Sequence, residues 1–377
     1  MENQQKQVTI EDIPVVDLNK YLGAENQDSE EVQDLCRQVA DSFHQYGILI
    51  IRDPRVNYQD NSDYIDLMEK YFDSVAPGYY AGEKLEDVKP EYHYLVGATP
   101  ENQEKARRHD KKIMSLTEDN LPVSPVDPVY DAKWRYYWNI GERREDSMDR
   151  FPQVIPAQGI DGWEEKMDKW GNQLISAVYT VAEMSALGMG LQKDSFTKCL
   201  EGGNHLLAPT GSDLAKNGIG AILAGFHYDI SFLTIHGKSR YPGLYVWLRN
   251  NQKLQVKVPD GCLILQSGIT FEHITGGYVH AGFHEVVCTD QTVDAYEKAK
   301  AADKITWRVS STLFANFRAD VECKPIPEMS KFYSEEDAAK YPTRTAYDIL
   351  MTELAATNMV AEGEYESDVK YDQYEES

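Results

Sequence analysis

A chain of 377 residues, 42% of them hydrophobic, has enough apolar material for a large core in one domain or two. Its 62 acidic residues against 38 Lys and Arg leave a formal charge of −24. That argues against nucleic acid or an anionic membrane as partner, because both are held by clustered Lys and Arg. Five cysteines, odd in number, widely spaced and without a Cys-x-x-Cys pair, argue against a disulfide framework or zinc knuckle and for a reducing, cytoplasmic setting.

The N-terminus is polar, without the apolar stretch that marks a signal peptide, and no run approaches the roughly 18 apolar residues of a membrane span. Residues 1–12 read as a frayed end and Ile13 to Leu18 as a short strand. From Ser29 to Tyr46 the apolar residues Val32, Leu35, Val39 and Phe43 recur three or four apart, which predicts a helix. Gly47 ends it, and Ile48–Ile51 follows as a buried strand. A second, short helix fits Tyr64 to Phe72. The stretch from there to Asp161 is less regular and rich in rings, among them Tyr92, Tyr94, Trp134, Tyr136 and Trp138. It reads either as the wall of a pocket or as a loop-rich surface tied down by aromatics. His93, Arg135 and Tyr137 are its candidates for contact with a substrate, and Arg143 and Arg144 share with Arg135 the capacity to receive a carboxylate.

Trp163 to Gly188 is the clearest helix, with Met167, Trp170, Leu174, Val178 and Val181 at helical spacing. Short apolar runs broken by Gly and Pro follow: Ile222-Leu223, Phe232 to Ile235, Leu244 to Trp247 and Val256 to Val258. Many short strands at this spacing indicate a sandwich or barrel. Asp290 to Lys304, charged and Ala-rich, predicts an inserted helix. Thr345 to Ala356 predicts another, as a strut or as a lid over the barrel mouth. Glu362 to Ser377 is acidic and carries no expectation of order.

The chemistry concentrates between Gly225 and Ser311. Side chains alternate faces along a strand, so His227 and Asp229 share a face. A third ligand must come from elsewhere, and His284 lies where a later strand would bring it. Two His and one carboxylate form the facial triad that leaves positions open on a non-haem Fe(II). Arg308 and Ser310 also share a face, where the planar guanidinium can grip a carboxylate and the hydroxyl can add a donor. His280, four residues before His284, would be a zinc partner on a helix, but Ala281-Gly282-Phe283 disfavours helix. In an extended segment His280 lines the pocket beside His284.

These residues, in this order, resemble the iron(II)/2-oxoglutarate-dependent dioxygenase superfamily, in its isopenicillin N synthase-like branch, which carries His-x-Asp, a later His and then Arg-x-Ser. Val258 to Gly268 resembles the strand before the family's third ligand, and Glu272 to Gly277 followed by His284-Glu285-Val286 resembles the segment ending in its His-Arg-Val. The opening of the chain also begins as the family's N-terminal region does. There are departures. His205-Leu206-Leu207-Ala208-Pro209 stands where the family has Asn-Tyr-Tyr-Pro, whose Tyr helps hold 2-oxoglutarate; Glu285 replaces an Arg; and the segment from His284 to Arg308 is longer.

The resemblance implies a mainly β fold with supporting helices, a double-stranded β-helix (jelly-roll) barrel with an N-terminal helical region. Residues 1–205 would supply support helices and a pocket wall, 206–322 the oxygenase core, and 323–377 the last helix and acidic tail. It implies Fe(II) on His227, Asp229 and His284, 2-oxoglutarate as co-substrate on Arg308 and Ser310, and O2 as oxidant. The substrate would be a small, polar or amino-acid-derived metabolite, oxidised at C–H by hydroxylation, desaturation or ring closure of the kainoid type, in a monomeric enzyme. Two other readings stay open: an isopenicillin N synthase-like oxidase that uses no 2-oxoglutarate, and a barrel that binds a small molecule or metal without catalysis.

Overall fold

The computed structural model describes residues 7–142, 151–357 and 359. Arg143, Arg144 and the acidic stretch 362–377 lie outside them. Two sheets carry the fold. The larger has ten strands and runs, in spatial order, Val15–Asp17, Ile48–Arg52, Leu263–Ser267, Leu233–His236, Thr312–Ala315, His205–Leu207, Trp134–Ile140, Thr210–Asp213 and Trp307–Ser310, with Gly97–Thr99 paired to Trp134–Ile140. The smaller runs Lys253–Gln255, Leu244–Trp247, His284–Val287 and Ile222–His227. Ile48, Ile50 and Ile264 of the large sheet meet Val246 and Leu254 of the small one in a shared apolar cluster. Among the described residues no strand pairing joins the two sheets, so the jelly-roll is an open sandwich rather than a closed barrel.

Helices cover the large sheet from outside. The helix Glu30–Tyr46 stops at Gly47, whose φ of 69° is left-handed and whose N–H bonds back to Phe43 O; only glycine takes that conformation cheaply. The chain re-emerges at once as the buried strand Ile48–Arg52. The helix Trp163–Gly188 packs against Glu30–Tyr46 so closely that a Cβ on Gly188 would lie 2.1 Å from Cys36 O.

Three expectations are corrected. The helix placed at Tyr64 to Phe72 spans Tyr58–Tyr80. The Asn57 side chain caps its start by accepting the Gln59 N–H, and Ile65, Met68, Tyr71, Phe72 and Val75 continue one buried face. The strand placed at Val256 to Val258 is Lys253–Gln255, because the tight turn after Leu248 pairs Lys253 directly with Trp247. Trp134–Ile140 is a strand that the reading of an irregular stretch missed. Its alternation sends Trp134, Tyr136 and Trp138 into the core beside Tyr71, Tyr79 and Trp163. Arg135 and Tyr137 face the other way. The rings of this strand are thus chiefly core, and its second face is pocket wall.

Candidate metal centre

His227 ends the strand Ile222–His227 and His284 opens His284–Val287, and the two are direct antiparallel partners. Their rings lie with centroids 4.2 Å apart. Asp229 sits two residues beyond the end of its strand, in a loop rather than on the pleat, yet its Oδ1 lies 3.7 Å from His227 Nε2 and 3.8 Å from His284 Nε2. One ligand atom from each of the three falls within 4.8 Å of the others.

The atoms not turned inward are all engaged. His227 Nδ1 meets Gly225 O at 2.6 Å and His284 Nδ1 meets Gly282 O at 3.1 Å. A carbonyl oxygen can only accept, so both Nδ1 atoms carry the proton and both Nε2 lone pairs are free. Asp229 Oδ2 accepts the Thr234 hydroxyl at 2.6 Å, which leaves Oδ1 for a cation. Burial, and His284 beside it, push His227 down to about 3, so its ring is neutral near pH 7. Burial alone would raise Asp229, but His284, His227 and the Thr234 hydroxyl outweigh it and hold the carboxyl below its usual range. Two imidazoles with Nε2 turned inward and one carboxylate on one side of a point fit a divalent metal with open positions.

The loop that carries Asp229 is fixed from behind. The Ile269 N–H donates to Asp229 O at 2.8 Å, and Gly268 passes so close that a Cβ there would lie 1.9 Å from Ser231 O. The departure at Glu285 also has a structural cause. Glu285 is fully buried and accepts from Val123 N, Ser124 N, Ser124 Oγ and Lys253 Nζ. Ser124 Oγ in turn accepts the Phe226 N–H, and Asp131 Oδ1 accepts the Gly225 N–H. The segment around 121–135 thereby covers the open edge of the strand that ends in His227, where unpaired N–H groups would otherwise stand.

A cavity of about 100 Å³ opens on His227 and Asp229. Arg135 and Tyr137 line it; His280 lines a neighbouring cavity, and His93 lines neither. Sequence reasoning missed Glu104, Lys133 and Arg107, which stand in the same wall. Glu104 bonds Arg135 at 3.0 Å and Lys133 at 3.2 Å, Lys133 bonds Asp131 at 2.7 Å, and Arg107 bonds Glu353 at 2.9 Å. Burial opposes the charge on Glu104, but Arg135 and Lys133 prevail and hold it down to about 2. Glu353 belongs to the helix Ala346–Ala356, and Leu350, Leu354 and Met359 close the same cavity, so this helix covers the metal side of the sandwich. The lone signal available was the alternation through Lys133, Arg135 and Tyr137 on one face.

Arg308 and Ser310 bond each other at 3.0 Å, and Arg308 Nε donates to Pro242 O at 3.1 Å. Arg308 is 5% exposed, burial pushes it down to about 10, and it has no carboxylate partner among the described residues. It lines a separate cavity of about 700 Å³ together with His236. The His236 ring, bonded to Thr312 and Gln266, lies within electrostatic range of Asp229, His284 and Arg308. At the position of the family's Asn-Tyr-Tyr-Pro, Leu206 reaches the metal-side cavity and Leu207 is core, so that strand offers no hydroxyl.

A jelly-roll whose small sheet brings two His and one carboxylate together is the architecture of the iron(II)/2-oxoglutarate oxygenases, and the chain has that fold. It is similar to a full-length Neurospora crassa protein crystallised in complex with alpha-KG, with a TM-score of 0.67 at 19% identity over 91% of this chain and 96% of that one. JOX2 in complex with 2OG, Fe and JA gives a TM-score of 0.58 at 16% identity over 91% and 85%. In sequence the chain is similar to Kihadalactone A synthase LFS of Citrus sinensis, 25% identical over 212 residues, which are 52% of this chain and 56% of that protein. No family model matches the sequence. These likenesses are to the fold of the superfamily and do not single out its isopenicillin N synthase-like branch.

Proposed function

We propose that the chain is a non-haem Fe(II)- and 2-oxoglutarate-dependent oxygenase of a small molecule. The observation that carries this is the convergence of His227 Nε2, His284 Nε2 and Asp229 Oδ1, each presented by a fixed neighbour. Fe(II) held there would, with 2-oxoglutarate and O2, supply oxidation of a substrate C–H bond coupled to release of succinate and CO2. The protein's own part is placement. Arg308, a buried guanidinium without an acid partner among the described residues, and Ser310 suit the far carboxylate of the co-substrate. Arg135, Tyr137 and the rings above the metal hold the substrate, and the helix Ala346–Ala356 keeps water out.

The pocket refines the substrate. Its buried cations Lys133, Arg135 and Arg107 are each already bonded to a carboxylate. Half-buried Lys105 lines the same cavity without a carboxylate partner among the described residues, and away from it a substrate carboxylate would have to break one of these pairs. A neutral, polar molecule that reads donors and acceptors fits without that cost. The Neurospora crassa protein has been crystallised with thymine and JOX2 with JA, both small molecules. Hydroxylation, desaturation and ring closure remain equally served by this geometry. The test is Fe(II)-dependent release of succinate from 2-oxoglutarate by the whole chain under air. Release that disappears in Asp229→Ala supports the reading; release that persists at the wild-type rate in that variant contradicts it.

A further inference from the structure

A cavity of about 320 Å³ lies on the other side of the residues that wall the metal pocket. Arg107, His109 and Tyr228 line both spaces. The remaining walls come from the end of the helix Glu30–Tyr46, from the segment holding Lys112, from Arg249 after the strand Leu244–Trp247, and from 280–283.

Its charge runs against that of the molecule. In a chain of formal charge −24, Lys112 and Arg249 face this space with no carboxylate partner among the described residues. Lys112 Nζ donates to Asn251 Oδ1 at 2.7 Å and stands 5.3 Å from the centre of the Phe283 ring. Arg249 Nη1 donates to Tyr278 O at 2.7 Å. Burial lowers the pKa of half-buried Lys112 and of Arg249, which is exposed, and Glu272 opposes the shift at both. The one acid in the wall is Glu272. Its two oxygens are taken by the Tyr341 hydroxyl at 2.9 Å and the Ala281 N–H at 2.6 Å, which turns it toward the protein. The His280 ring makes no hydrogen bond among the described residues and lines the same space. Tyr46 and Phe283 add flat apolar surface. In size the cavity exceeds the roughly 150 Å³ that suffices for benzene.

We propose that this cavity binds a small organic anion, a carboxylate or phosphate monoester on a flat apolar body, with the anionic end on Lys112, Arg249 and His280 and the body against Phe283 and Tyr46. Glu272, within electrostatic range of Lys112, Arg249 and His280, is a single carboxylate against these cations, and the bound anion adds to its counter-charge. The residues differ from those proposed for the 2-oxoglutarate carboxylate, since neither Arg308 nor Ser310 lines this cavity. Since Tyr228 lies between two metal ligands in sequence and forms part of both walls, an occupant here rests directly behind the metal site.

The test is calorimetric titration of the whole chain with benzoate, phenyl phosphate, inorganic phosphate and the neutral benzamide. Saturable binding of benzoate or phenyl phosphate is expected, and whichever binds tighter names the head group. Affinity should fall about tenfold or more in Lys112→Met, the loss of one charge-assisted contact of about 1.4 kcal/mol. It should fall likewise in Arg249→Met, and be unchanged in Arg308→Leu. Lys112→Gln serves if Lys112→Met does not fold. Four results would overturn the proposal: no saturable binding of either aryl anion, benzamide binding as tightly as benzoate, inorganic phosphate matching phenyl phosphate, or a loss that follows Arg308 rather than Lys112.

Discussion

Each residue of the triad is held by an atom that it does not offer to a metal. Gly225 O and Gly282 O choose the tautomers of His227 and His284, and the Thr234 hydroxyl aims Asp229. Partners of this kind are commonly worth 10–100-fold in metal affinity. Thr234→Val keeps the shape and removes the donor, so Fe(II) should bind about 10-fold or more weakly, measured by competition with a chelator under nitrogen. An unchanged affinity would mean that the loop alone aims the carboxylate. His205 makes a different prediction. Burial pushes it down to about 4, and its Nδ1 accepts the Asn316 N–H, a bond that protonation would break. The unfolded chain takes up this proton near pH 6.5 and the folded chain only near 4. Stability is therefore full above about pH 6.5 and falls as pH drops toward 4, by at most about 1.4 kcal/mol per pH unit for each such group. His236 and His273, also pushed down to about 4, steepen the slope. Urea unfolding between about pH 7 and pH 5 should show it, with a shallower slope in His205→Asn.

Among the elements, the helix Ala346–Ala356 ties the end of the chain to the metal pocket. Its start is fixed by a reciprocal cap between Thr345 and Asp348, and Glu353 reaches Arg107 at 2.9 Å and Tyr228 Oη at 3.1 Å. Loss of one member of a buried pair costs about 3–5 kcal/mol. Glu353→Leu should therefore lower stability by roughly that amount and speed amide exchange in this helix ahead of the sheets. Equal exchange in the variant and the parent chain would show that the pair does not hold it. This helix was legible in the sequence, as were Glu30–Tyr46 and Trp163–Gly188, because long amphipathic periodicity and glycine stops are local signals. Trp134–Ile140 was not. Its two faces are both occupied, one by rings in the core and one by buried ion pairs, so the usual alternation of apolar and polar was hidden behind aromatic Tyr137.

At the scale of the molecule, the jelly-roll lets residues far apart in sequence meet because Ile222–His227 and His284–Val287 are neighbours across one sheet. The triad was legible from motif order. The period-two reason for pairing His227 with Asp229 held only in outcome, since Asp229 lies past the strand and is placed by Gly268 and Thr234. The ion pairs of Glu104, Lys133, Asp131 and Arg107 were illegible, because their partners come from separate segments and no local spacing announces them. Among the described residues no helix is long and apolar enough to cross a membrane. The central claim is that Fe(II) on the triad and 2-oxoglutarate on Arg308 act together, with the His236 ring in electrostatic range of both the triad and Arg308. It is tested most directly by anaerobic titration of the metal-free protein with Fe(II) and then 2-oxoglutarate, followed by visible absorption. A weak charge-transfer band that needs both additions, and that requires more 2-oxoglutarate in Arg308→Leu, is the predicted result. Iron binding without such a band at any 2-oxoglutarate concentration would contradict it.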